Sequence, residues 1–119
     1  MLDVYSDMTQ LAAACGCQFE MVEMCEVQRR RQAVSEDQIQ EKLKEFRETF
    51  AVAPACSEYE LRCAAQTACA LDEVVQAHRL GALAYYYEGS RGNEYENIVT
   101  PVIAGNTLLT GKHVPATSE

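Results

Sequence analysis

The sequence predicts an α/β fold: a mostly parallel sheet covered by helices on both faces, three layers in all, and incomplete as it stands. Three observations predict it. Two Ser-x-x-Gln/Glu capping boxes head long amphipathic stretches, at Ser35 and Ser57. Short runs of strand-forming residues stand at 17–23 and 81–87. Helical and strand-like segments then alternate along the chain, which is the pattern of a parallel sheet joined by helical crossovers.

The elements follow in order. Ser6 or Asp7 can cap a short helix whose apolar face is Met8, Leu11, Ala12 and Cys15, with Gly16 as its left-handed stop. Cys17 to Glu23 alternates around Phe19 and Met21 and reads as a strand. Met24 to Val34 is open between a basic connector and one or two helical turns. Ser35-Glu36-Asp37-Gln38 opens a helix carrying Ile39, Leu43, Phe46 and Phe50 at helical spacing, closed by Ala53-Pro54. Ser57-Glu58-Tyr59-Glu60 opens the next, with Leu61, Ala64, Ala65, Ala68, Leu71, Val74 and Val75, running to about His78. The small residues on its face predict close packing against a neighbouring sheet. Gly81 to Tyr87 has strand length and β-formers. After the loop 88–93, a helical segment opens near Asn93 and Glu96. It restarts with Thr100 as cap and Pro101 at the first position, and runs to Gly111. A last strand can follow.

Two or three strands make a narrow sheet, and a parallel sheet needs cover on both sides. The first helix also has no strand before it. Residues 1–119 are therefore expected to be part of one α/β domain, truncated at both ends.

Composition narrows the class. The chain has 119 residues, 48% hydrophobic and 24% charged, with a net charge of -8. So acidic a surface repels phosphate backbones, which argues against nucleic acid as a partner. No apolar run approaches the roughly 20 residues needed to span a bilayer, and the first residues do not form a signal peptide. The expectation is a cytoplasmic protein without a membrane partner. Six cysteines invite a disulfide or metal reading. Cys15 and Cys17 flank Gly16, Cys63 and Cys69 lie in a helix, there is no Cys-x-x-Cys, and His78 and His113 stand alone. Six reduced thiols acting as small hydrophobes is the expected state.

Chemistry is best sought at Tyr85-Tyr86-Tyr87-Glu88-Gly89-Ser90-Arg91-Gly92-Asn93-Glu94-Tyr95-Glu96. A carboxylate directly after a strand sits at the carboxyl edge of a sheet, where open α/β sheets place ligands. Glu88 in that position can bind a divalent metal or move a proton. A solvated acidic loop, with Glu94 and Glu96 serving the next helix, is the commoner meaning of such a stretch. Arg29-Arg30-Arg31 reads as a solvated face, and His78 as a helix-end residue meeting the last carbonyls.

The stretches 83–89 and 92–96, Gly105-Asn106-Thr107-Leu108-Leu109-Thr110, and Pro115-Ala116-Thr117-Ser118-Glu119 resemble the L-arabinose isomerase family, nearest its divergent members close to the L-fucose isomerases. Met1 to Asp7 and Ser57 to Arg62 are similar too, and the likeness is weaker over 36–50. The resemblance implies the central, Rossmann-like domain of a larger homo-oligomeric enzyme, with an active site shared between domains and neighbouring subunits. It implies a manganese ion held by two glutamates and two histidines. The glutamate positions fall on Glu88 and Glu119, and the histidines fall beyond the 119 residues. Ser118 departs from the glycine more often found before the second glutamate. The implied reaction is aldose–ketose isomerisation of a sugar through an enediol, with the metal polarising O1 and O2 and the two glutamates as acid and base. The loop 90–95 departs from the arabinose enzymes, leaving the sugar open. A non-catalytic sugar-binding or interaction module is the alternative.

Overall fold

The computed structural model describes residues 7–85, 92, 95–99, 101–112 and 116–118. Among these residues, six helices and two short strands run in the order α1 (Met8–Cys15), α2 (Met24–Ala33), α3 (Glu36–Thr49), α4 (Glu58–His78), β1 (Leu83–Tyr85), α5 (Glu96–Val99), α6 (Val102–Gly111) and β2 (Ala116–Ser118). The architecture is mostly helical, and this corrects the expected three-layer α/β sheet. Among the described residues, β1 and β2 are the strands, three residues each, paired in parallel with Tyr85 opposite Ser118. So narrow a pair cannot form a layer between two helical faces.

The helix ends follow the local chemistry. Asp7 accepts from the Thr9 and Gln10 amides, and Gly16 ends α1 in the left-handed region at φ 66°. Ser35 with Gln38, and Ser57 with Glu60, form the two reciprocal capping boxes. Each satisfies amides that the first helical turn leaves without partners. Arg79 closes α4 with φ 51°, its N–H donating to carbonyls of the last turn. Pro101 sits one position earlier than expected, as the cap of α6 and not its first residue.

The centre of the molecule is α4. Ala65, Thr67, Ala68, Cys69, Ala70, Leu71 and Val74 are all buried, so its apolar cover runs most of the way around the helix. On one side lie Ile39, Leu43 and Phe46 of α3, stacked on Ala65 and Ala68. On a second, Val27 of α2 and Ile98 of α5 meet Ala70 and Val74. On a third, Val102 and Leu109 of α6 meet Leu71, with Leu83 and Tyr85 of β1 packed beside them. The small face of α4 thus receives a helix where a sheet was expected. Gly105 of α6 approaches it so closely that a Cβ there would lie 2.9 Å from Leu71 Cδ1 and 3.1 Å from Ala68 Cα.

The expected strand at 17–23 is absent: these residues lead irregularly into α2, with Phe19 and Met21 exposed. Alternation marks a strand only where a second strand takes up the backbone hydrogen bonds, and none is offered here among the described residues. The apolar face expected for α1 is also unburied, with Met8 and Leu11 open to solvent. Residues 24–34, left open above, are helical over Met24–Ala33. Among the described residues no helix is long and apolar enough to cross a membrane.

Candidate functional site

The two residues singled out for metal binding and catalysis, Glu88 and Glu119, lie outside the described residues, as do His113 and Glu94. What is described is the ground they grow from. β1 and β2 run parallel, with Leu83 opposite Ala116, Ala84 opposite Thr117 and Tyr85 opposite Ser118. Their carboxyl ends therefore face the same way. In sequence, Glu88 comes three residues after Tyr85, and Glu119 directly after Ser118. The pair is held from beneath by α6 and α4 through Leu83, Tyr85, Leu109 and Leu71.

Elsewhere among the described residues, a groove of about 590 Å³ runs between α3 and α4, lined by Gln38, Glu41, Lys42, Glu45, Cys69, Asp72 and Lys112 among others. Lys42 lies almost wholly beneath the surface and donates to Glu45 Oε2 at 2.6 Å and Asp72 Oδ2 at 2.9 Å. Lys112 stands behind it, 3.4 Å from Glu45 and 3.7 Å from Asp72. Burial alone would make Lys42 easier to deprotonate, but the two carboxylates outweigh it and hold the ammonium above its ordinary range. Glu45 likewise loses solvation on burial and is nevertheless held below the usual carboxylate range by Lys42. Burial pushes the Cys69 thiol up, and its S–H donates to the Gln38 carbonyl. The groove thus holds Lys42 as a paired ammonium and Cys69 as a protonated thiol. It is an ion-pair joint between α3, α4 and the end of α6.

A second cluster joins α2 to α4. His78 Nε2 is 2.9 Å from Glu26 Oε1 and Nδ1 is 3.4 Å from Glu20 Oε1. Arg30 pairs with Glu26 at 2.7 Å and reaches Glu73 at 3.8 Å. The hydrogen bond from His78, with that from Arg30, holds Glu26 below the usual carboxylate range. His78 therefore meets side-chain carboxylates, not the helix carbonyls that its place at a helix end suggests. Arg30 likewise belongs to an ion-pair cluster and not to a free basic face. Each cluster has a local half, Glu26 with Arg30 and Lys42 with Glu45 within one helical turn, but the pairs that join helices have no local signal, since Lys42 and Asp72 stand thirty positions apart and Glu26 and His78 fifty-two.

Four of the six thiols, Cys15, Cys17, Cys25 and Cys56, are exposed, against the expectation of small buried hydrophobes; Cys69 alone is fully buried. Among the described residues, no three His, Cys, Asp or Glu side chains converge as a metal site. No family model, curated protein or solved structure matches the chain.

Proposed function

We propose that the chain is part of a metal-dependent aldose–ketose sugar isomerase similar to the L-arabinose isomerases, to which it contributes Glu88 and Glu119. The observation that supports this reading is the parallel register of β1 and β2. Two glutamates that follow the carboxyl ends of adjacent parallel strands can converge on one small ligand, as ligands do at the carboxyl edge of parallel sheets. Carboxylate oxygens suit Mn²⁺, but two are too few to complete its octahedral shell. His78 is engaged by Glu26 and Glu20, and the resemblance places the family's two histidines beyond Glu119. In that setting one carboxylate would take the C2 proton and return it to C1 of the enediol, while the other would pass the hydroxyl proton between O1 and O2. The 119 residues alone are expected to bind Mn²⁺ weakly and to turn over no sugar.

The test uses the ion as a paramagnetic probe. Mn²⁺ titrated into the isotope-labelled chain should first broaden amide signals of 83–85 and 116–118. Glu88→Gln with Glu119→Gln should abolish that preference. If broadening instead begins at the acidic groove around Glu41 and Asp72, or is unchanged in the double variant, the isomerase reading is wrong. A non-catalytic module would then remain.

A further inference from the structure

The stretch Cys15-Gly16-Cys17 has no part in the isomerase reading, and its geometry is that of a usable dithiol. Cys15 is the last residue of α1, and Gly16 turns the chain back with φ 66° and ψ 20° while its N–H donates to the Ala12 carbonyl at 2.9 Å. These torsions lie in the left-handed helical region, with φ close to the mirror image of an α-helical residue and ψ smaller. The flanking Cα atoms therefore stand about 5.5 Å apart, inside the span bridged by disulfides. The turn also folds Cys17 back over the helix. Its S–H donates to the Leu11 carbonyl at 3.7 Å, one helical turn below Cys15. Residues four apart share a helix face, so that contact brings the second sulfur toward the stripe that carries the first. Both thiols are exposed and free. No residue of α1 is buried, so closing a bridge here displaces no core contact.

We propose that Cys15 and Cys17 form a reversible dithiol–disulfide site that exchanges with low-molecular-weight disulfides such as oxidised glutathione. One thiolate attacks a sulfur of the external disulfide, forming a mixed disulfide and releasing one small thiol. The second thiolate attacks the protein sulfur of that mixed disulfide, closes the Cys15–Cys17 bond and releases the second small thiol. The protein dithiol loses two electrons and two protons, and the external disulfide gains both. The left-handed turn at Gly16 brings the resolving thiol close, so ring closure outruns accumulation of the mixed disulfide. Cys25 and Cys56, exposed without a neighbour in such a turn, lack that second step.

The experiment treats the reduced chain with excess oxidised glutathione, blocks remaining thiols, and cleaves after glutamate. Cuts at Glu20 and Glu23 separate Cys15 and Cys17 from Cys25. The fragment ending at Glu20 should lose two hydrogens and carry no glutathione. Cys15→Ser and Cys17→Ser should each leave a fragment holding one glutathione, and dithiothreitol should restore the starting mass in all three. A fragment that stays unmodified, carries two glutathiones, or is found bridged to Cys25 overturns the proposal. None of these readouts depends on Glu88, Glu119 or manganese.

Discussion

Gly105→Ala tests the close seating of α6 on α4. In an ordinary helix interior, replacing glycine by alanine stabilises by about 1 kcal/mol through backbone entropy. Here the new methyl would lie 2.9 Å from Leu71 Cδ1 and 3.1 Å from Ala68 Cα. The Leu71 methyl is the far end of a side chain and can rotate. The Ala68 contact is with backbone of the central helix, so α6 itself must move outward. Overpacking of this kind costs roughly 1–3 kcal/mol. The contact cost exceeds or equals the propensity gain, and the net is a destabilisation of up to about 2 kcal/mol. At Gly111, the end of the same helix, an added Cβ would meet nothing within 4 Å. Gly111→Ala should therefore keep its propensity gain, up to about 0.5–1 kcal/mol. Urea unfolding followed by far-UV circular dichroism measures both. The refuting result is Gly105→Ala stabilising the chain as much as Gly111→Ala does, which would mean α6 does not lie against Ala68.

Ser57→Ala removes the side-chain acceptor of the Glu60 amide and should cost about 1 kcal/mol in the same unfolding assay. Lys42→Met keeps the buried stem but leaves Glu45 and Asp72 sharing Lys112 alone; a loss of roughly 1–3 kcal/mol is expected, smaller than for a fully buried pair. Arg79→Gly removes a side chain from left-handed backbone at φ 51° and should stabilise by roughly 0.5–1 kcal/mol, read as a higher urea midpoint. Acid should loosen the molecule in a defined window. Hydrogen bonds from Arg62 and Gln40 lower Glu36 from 4.5 to about 2, and Glu26, Glu45 and Glu60 are lowered too. Folded-state values below the unfolded ones mean stability that is present above pH 4.5 and lost as pH falls from there toward about 2. Denaturation midpoints that stay constant across that window would contradict these pairings.

Much of the helical framework is legible in local signals, because helix ends are chemically local. Asp7, Ser35 and Ser57 accept from amides three residues away or fewer, and Gly16 and Arg79 end helices by their own backbone torsions. The layering is not legible in this way. A row of small residues such as Ala64, Ala65 and Ala68 says that something comes close, and either a sheet or a helix with a glycine satisfies it. The choice is made by Gly105, nearly forty residues on. Residues 67–71 of α4 are buried without a break, a sign that this helix is enclosed and not laid on one face of a sheet. The alternation at Phe19 and Met21 misleads because a strand is defined by its partner. Glu88 stands out locally as a carboxylate following a strand and Glu119 comes from resemblance alone, whereas the pairs Lys42–Asp72 and Glu26–His78 join different helices and have no sequence pattern to betray them.

The two proposals rest on parts of the molecule with different mechanical standing. α6 packs on α4 through Gly105 and meets both strands of the parallel pair, so the register that sets Tyr85 beside Ser118 is coupled to the core. Anything that lifts α6 from α4 should disturb the edge from which Glu88 and Glu119 proceed. The dithiol has no such coupling, since α1 contributes no buried residue and its turn at Gly16 is closed by its own hydrogen bonds. Its chemistry depends on torsions within three residues. Gly105→Ala should therefore weaken the manganese preference at 83–85 and 116–118 while leaving closure of the Cys15–Cys17 bridge unchanged. Loss of both together would mean that α1 is tied to the core by contacts other than those described, and loss of neither would mean that the parallel pair holds its register without α6.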